Sequence, residues 1–194
     1  MKTSLLSLCG IALLACSPQI AQAETLDDFE SYAPQVGFTT PSSTPWSRFG
    51  NAVADGLTVV VGEGADKSKG ATIALNITGQ DNGTIRFAPP KPLDLREKGT
   101  ISLDIRQAKE LPGLTVLCQI ESPSGTIWQV SAQPLTSHEY TTYSFVFAAG
   151  DAIKTQGNQS LDEVLASVAA IRFRFASETE GVSSLRFDNL KIGE

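Results

Sequence analysis

The side chains best suited to chemistry alternate with apolar ones in three segments. Asp104 and Arg106 stand in Ile101-Ser102-Leu103-Asp104-Ile105-Arg106. Gln119 and Glu121 stand in Val116-Leu117-Cys118-Gln119-Ile120-Glu121, and Arg172 and Arg174 in Ile171-Arg172-Phe173-Arg174-Phe175. Successive side chains of a strand point to opposite faces, so the apolar set packs inward and the polar set points out. If the three strands share a sheet, these six side chains make one polar strip. Such a strip offers hydrogen bonds to a polyol, and its guanidinium groups suit carboxylate or sulfate, which they pair bidentately. The alternative is a solvated sheet face with cross-strand ion pairs, Asp104 with Arg172 for example. Trp128, Trp46 and Tyr140 are the aromatics nearest to expected loops, and a sugar ring stacks on such faces.

Catalytic constellations are sparse. Hydrolysis of glycosides uses two carboxylates across a cleft, and Asp104 with Glu121 is the best pair. His138, the one histidine, sits beside Glu139 in a turn-like stretch and reads as a surface residue. A His-based zinc cluster needs more than one histidine, and no Gly-x-Ser-x-Gly elbow, phosphate loop or dinucleotide fingerprint is present. Cys118 alternates with Val116 and Ile120, so it reads as a small packed group.

The elements that must position these residues read as short strands. Residues 24–32 form the first. A long connection over 33–56 follows, rich in Pro, Gly and Ser, with Trp46 and Phe49 inside it. Leu57 to Val61 is a β-branched run, and Gly62 to Gly70 is a turn-rich segment. Ile73, Leu75 and Ile77 share one face of the next strand. Asp81-Asn82-Gly83 signals a turn before Thr84 to Phe87. The three prolines of Ala88 to Leu95 exclude a central strand and suggest an extended crossing. Gly99 to Arg106 is the clearest strand. Leu114 to Glu121 and Thr126 to Ala132 form a hairpin about Pro123-Ser124-Gly125. Thr141 to Phe147, Val168 to Ala176 and a closing strand through Ile192 complete the set. Ser160 with Glu163 three residues later predicts a short capped helix turn. About nine strands with almost no helix predict an all-β sandwich.

The 194 residues are enough for one core, and 41% apolar with 19% charged residues is globular composition. A formal charge of -6 argues against nonspecific nucleic-acid binding. Residues 1–23 read as a signal peptide: Lys2, an apolar stretch over 4–15 too short to span a bilayer, Pro18, then Ala21-Gln22-Ala23. Residues 24–194 are then a single domain, secreted or periplasmic. Leu13-Leu14-Ala15-Cys16 gives an alternative, a bacterial lipoprotein anchored through Cys16. No other stretch is long and apolar enough for a transmembrane helix.

The two ends, Leu26-Asp27-Asp28-Phe29-Glu30-Ser31-Tyr32 and Leu185-Arg186-Phe187-Asp188-Asn189-Leu190-Lys191-Ile192, carry a family likeness. An acidic opening strand and a Phe-Asp-Asn-Leu closing strand resemble those of the jelly-roll carbohydrate-binding modules of the galactose-binding-domain-like group. The resemblance implies a jelly-roll β-sandwich of two antiparallel sheets, with polysaccharide or oligosaccharide on the concave face. It also implies a structural calcium ion between first and last strands. The matching positions are Glu30, assisted by Asp28, the carbonyls of Ser68-Lys69-Gly70 around Lys69, and Asp188. Plain edge-strand acids are the other reading. The expected function is an exported, non-catalytic carbohydrate-binding protein using Asp104, Arg106, Gln119, Glu121, Trp128, Arg172 and Arg174. An envelope or cell-surface protein-interaction module on the same fold is the rival, and a glycan-cleaving enzyme ranks behind it.

Overall fold

A computed structural model describes residues 23–33, 45–53, 58–79, 81–136 and 138–193. Residues 1–22, with the expected leader and the alternative anchor Cys16, lie outside the described residues, as does 34–44 of the long connection. The strands are β1 (Glu24–Asp27), β2 (Trp46–Phe49), β3 (Thr58–Val61), β4 (Lys69–Ile77), β5 (Asn82–Phe87), β6 (Thr100–Lys109) and β7 (Thr115–Glu121). They continue as β8 (Ile127–Gln129), β9 (Gln133–Pro134), β10 (Thr141–Val146), β11 (Ile153–Gln156), β12 (Ala170–Ala176) and β13 (Gly181–Ile192). One short helix, α1 (Leu161–Leu165), precedes β12.

Two antiparallel sheets result. A six-stranded sheet runs β10-β6-β13-β4-β3, with β1 also paired to β13. A seven-stranded sheet runs β11-β8-β7-β12-β5-β2, with β9 also paired to β7. Alternation places the core as expected. Ile101, Leu103 and Ile105 are buried from one sheet, and Val116, Cys118, Ile120, Ile171, Phe173 and Phe175 from the other. Aromatic pairs lock the sheets face to face. Phe145 of β10 meets Phe173 at 5.8 Å, and Phe187 of β13 meets Phe175 at 5.6 Å between ring centroids.

The short helix starts as its capping box dictates. Ser160 Oγ accepts the Glu163 N–H at 3.3 Å, and the Glu163 carboxylate accepts the Ser160 N–H at 2.7 Å. Some boundaries differ from expectation. The opening strand ends at Asp27 rather than residue 32, because the chain turns at Phe29. Trp46 to Phe49 lies inside the expected connection, yet it pairs with β5 and edges the seven-stranded sheet. Ile153 to Gln156 also pairs, against β8, although its residues are all exposed.

A buried carboxylate joins the two sheets near the start of the chain. Asp27 is 8% exposed at the end of β1. Its Oδ1 accepts the Phe29 N–H at 2.8 Å, an Asx-type turn. Its Oδ2 accepts the Trp46 Nε1–H at 2.9 Å and the Tyr32 hydroxyl. Burial and this carboxylate push the Tyr32 phenol well above the ordinary tyrosine range. Phe29 has φ +59°, a left-handed conformation unusual for a bulky residue. The turn is held by packing, with the ring fully buried and stacked on Trp46 at 5.3 Å.

Removing the carboxylate takes away the acceptor of the Phe29 N–H and the Tyr32 hydroxyl and one bond of the Trp46 indole. We expect Asp27→Ala to cost about 3 kcal/mol in urea unfolding, and Asp27→Asn less, since the amide keeps one acceptor oxygen. A loss under about 0.5 kcal/mol for Asp27→Ala would show that the tie is dispensable.

Candidate functional site

Four of the six strip residues come together on the outer face of the seven-stranded sheet. Inward burial of Phe173 and Phe175 forces Arg172 and Arg174 outward from β12. Arg172 stands opposite Gln119 on β7 and Arg86 on β5. One oxygen of Glu121 holds both arginines. Glu121 Oε2 accepts Arg86 Nε at 3.2 Å, Arg172 Nε at 3.2 Å and Arg172 Nη2 at 2.7 Å. Glu121, Arg86 and Arg172 have side chains only 17%, 25% and 24% exposed, so the pairing is less screened than at an open surface. Gln119 Nε2 donates to Gln129 Oε1 at 3.1 Å across β8, which extends the polar row.

The next row along β12 differs. Arg174 stands opposite Leu117 and Thr84, neither of which bears charge. Its Nε is buried and has no hydrogen-bond partner. Beyond it, Ala176 lies opposite Asn82 and Thr115. There the face opens into a cavity of about 650 Å³ lined by Thr115, Ala176, Asp81, Ser177 and Glu178. Arg86 is a member of this site that the sequence reading passed over. The alternation of Thr84-Ile85-Arg86-Phe87 carries the same outward signal as β12.

Asp104 and Arg106 do not join this strip, which corrects the grouping. Both are on β6, in the six-stranded sheet. Asp104 accepts the Thr142 hydroxyl at 2.5 Å and the Asn189 amide at 2.9 Å. Arg106 donates to the His138 carbonyl at 2.8 Å. The cross-strand pair Asp104 with Arg172 is therefore not formed, and Asp104 and Glu121 do not face each other across a cleft. Trp128 is a second correction. It stands opposite Ile120, so it belongs to the inward side of β8, away from Gln119 and Arg172. Its indole donates to the Gln159 carbonyl at 3.2 Å, and it lines a cavity of about 320 Å³ at one end of the sandwich. Lys154 Nζ lies 5.8 Å from its ring centre. Trp46 is core, 2% exposed. Tyr140 is half-buried, its hydroxyl donates to the Glu63 carbonyl, and burial raises its phenol above the usual range.

His138 is exposed, 3.4 Å from the Glu110 carboxylate. Cys118 is buried, and burial pushes its thiol far up, which suits packing and not reaction.

The residues assigned to calcium surround the β3–β4 loop but are already occupied. Calcium takes six to eight oxygen ligands. Asp188, 2% exposed on β13, accepts the Ala65 N–H at 2.8 Å and the Ser68 hydroxyl at 2.9 Å on Oδ2. Its Oδ1 accepts the Asn189 N–H at 2.8 Å. Burial raises its carboxyl above the usual range; neighbouring Asp104 adds to the rise, and these hydrogen bonds oppose it. The loop lies so close that a Cβ on Gly64 would sit 2.8 Å from Asp188 Oδ2. Glu30 Oε1 accepts the Lys69 N–H at 2.5 Å. The Lys69 ammonium donates to the carbonyls of Glu30 at 2.6 Å and Tyr32 at 3.1 Å. Asp28 is exposed and accepts the Glu30 N–H at 3.1 Å. No three Asp, Glu, His or Cys side chains among the described residues are grouped to hold a metal. As arranged, this donor set does not fit a calcium ion: both Asp188 oxygens, Glu30 Oε1 and Asp28 Oδ1 meet N–H and O–H groups, and a lysine supplies the cation.

The architecture has close parallels in solved structures. The family 11 carbohydrate-binding module of a cellulosomal cellulase of Clostridium thermocellum superposes with a TM-score of 0.60 at 17% identity, over 89% of this chain and 94% of that one. The Clostridium thermocellum family 11 module in complex with a β-1,3-1,4-mixed-linked tetrasaccharide gives 0.61 at 17% identity, over 88% and 95%. An exo-β-agarase gives 0.57 at 16% identity, over 87% of this chain but 24% of the agarase. No protein-family model matches the chain, and no curated protein matches it. At these identities the likeness speaks to the fold: the chain is a jelly-roll β-sandwich with the architecture of carbohydrate-binding modules.

Proposed function

We propose that the protein binds carbohydrate without catalysis, on the outer face of the seven-stranded sheet. The observation that carries this is the outward row of Arg86, Arg172, Gln119 and Gln129, organised by Glu121, on a sandwich of this architecture. A neighbour of the same fold is described in complex with a tetrasaccharide. Fold alone does not fix function, so the row of hydrogen-bonding side chains is the necessary second support. In this reading the chain is exported, to the periplasm, the medium or a lipid anchor at Cys16.

Two rivals have less support. A glycosidase needs two carboxylates across the scissile bond, and the best pair, Asp104 and Glu121, is divided between the sheets. A protein-docking module needs a contiguous apolar patch. Among the described residues, the exposed large apolar ones, Val61, Val146, Ile153 and Val182, are scattered over β3, β10, β11 and β13, no two of which pair. Calcium has no part in this proposal, because Lys69 and the β3–β4 loop close the chain ends.

Affinity electrophoresis of the purified protein in gels cast with single polysaccharides tests the binding. We expect retardation on at least one polysaccharide and none in gels without it. A folded sample that runs freely in all of them, neutral and acidic, would sink the carbohydrate reading. The melting temperature with a chelator tests the closure. We expect a change within about 1 °C of the value in calcium. A fall of about 5 °C or more, equivalent to about 2 kcal/mol at this size, would restore a bound metal.

A further inference from the structure

Arg174 is the cation of the strip that the described carboxylates leave unpaired. Three guanidinium groups, Arg86, Arg172 and Arg174, face outward from β5 and β12. Among the described residues, Glu121 is bonded to Arg86 and Arg172. Arg174, flanked by Leu117 and Thr84, has no ion pair among the described residues, and its buried Nε has no acceptor. A buried donor left without a partner costs about 1–3 kcal/mol. Guanidinium carries five donors in a planar fork and cannot shed its proton, so the deficit cannot be removed by neutralisation. This unbalanced charge sits on a chain with formal charge -6.

Neutral sugar recognition draws on a flat aromatic, and Phe49 of β2, opposite Thr84, holds a register position on this face. Among the described side chains, Trp46 is buried in the core and Trp128 belongs to the inward side. Tyr140 bonds to Glu63, on the loop that covers the other sheet. At Arg174 the face offers a fork of donors suited to a planar or tetrahedral oxyanion.

We propose that this face selects an acidic polysaccharide, with Arg174 receiving the carboxylate or sulfate of a sugar residue beside the Glu121-bound Arg172. Glu121 is then a positioning residue. It draws Arg86 and Arg172 to one point and leaves Arg174 free for the ligand. The inference rests on the carbohydrate-binding reading and adds the charge class. The carboxylate and sulfate sources share this chemistry. The acids Asp81 and Glu178 line the cavity that begins at Ala176, the next outward residue after Arg174.

The test uses affinity electrophoresis and calorimetry on the purified protein with four polymers. These are a polyuronate, a sulfated galactan, a neutral mixed-linked β-glucan and polyglutamate as a polyanion without sugar. We expect tighter binding to one of the two acidic polysaccharides than to the neutral glucan. Which one binds tells carboxylate from sulfate. Raising salt from 0.05 to 0.3 M is expected to weaken binding several-fold by screening. Arg174→Ala is expected to weaken binding about tenfold, the loss of one charge-assisted pair, with Arg174→Lys falling between. Because Arg174 makes no ion pair among the described residues, the melting temperature of the variant should hold. If Arg174→Ala did unfold, the salt dependence and the comparison of polymers on the native protein would still decide.

Binding to the neutral glucan alone, unaffected by Arg174→Ala, would overturn the acidic preference and leave the carbohydrate reading standing. Equal binding to polyglutamate would overturn saccharide selection. Free migration in all four would remove both.

Discussion

A carboxylate taken out of water is costly unless its lone pairs are used. Asp27 meets that condition with three donors from different parts of the chain: the Phe29 N–H, the Tyr32 hydroxyl and the Trp46 indole. The consequences spread from there. Phe29 accepts a left-handed backbone because its ring is sealed against Trp46. Trp46 in turn packs on Phe87 of β5, at 5.2 Å. One side chain therefore connects β1 of the six-stranded sheet to β2 and β5 of the other. It also turns the chain so that Glu30 and Tyr32 present their carbonyls to the Lys69 ammonium. The tie between the first turn and the β3–β4 loop and the edge of the seven-stranded sheet share this origin.

The second constraint is the pleat. Phe173 and Phe175 are fully buried against Phe145 and Phe187, and this fixes the register of β12. A slip of one residue would send two aromatic rings into solvent and two guanidinium groups into the core. The outward arginines are thus held in place by the interior packing beneath them. The same holds on β5, where Ile85 and Phe87 are buried and Arg86 between them must face out. The polar row needs no strain of its own; it inherits rigidity from the core, which is how a site on strands is kept more regular than one on loops.

Alternation made much of this legible in the sequence. The inward faces of Ile73 to Ile77, Ile101 to Ile105 and Ile171 to Phe175 are read directly from period two, and the Ser160–Glu163 cap from local chemistry. Period two says which side of a strand a residue takes, but not which sheet the strand joins. Asp104 and Arg106 thus share the outward pattern of Arg172, yet β6 pairs with β10 and β13 in the other sheet. Trp128 fell to the same limit, since a three-residue strand carries too little pattern to set its face. The acids of the first turn were harder still. Asp27, Asp28 and Glu30 are alike in type, and the buried one is marked only by donors distant in sequence, Tyr32 and Trp46. The Lys69 carbonyl is the expected contact, yet its ammonium is the group that reaches the first turn.

Glu121 shows how the face can be both ordered and unsaturated. Arg86 and Arg172 are directly opposed on neighbouring strands, a like-charge pair that destabilises a sheet when nothing intervenes. A single carboxylate oxygen between them turns that repulsion into a fork-shaped contact, and the partial burial of all three sharpens it. The compensation stops one row short of Arg174. A second acid at Leu117 or Thr84 would have completed it, giving an ion-paired surface with no preference for an arriving charge. With Leu117 and Thr84 in those places, the chain keeps one guanidinium in reserve on a face otherwise satisfied. An acidic protein with such a local excess repels polyanions at long range, because net charge governs the distant field. It can still hold an anionic group at short range, where the individual donors count. Selection would then favour ligands whose charge is spaced along a neutral, hydrogen-bonding chain over densely charged polymers.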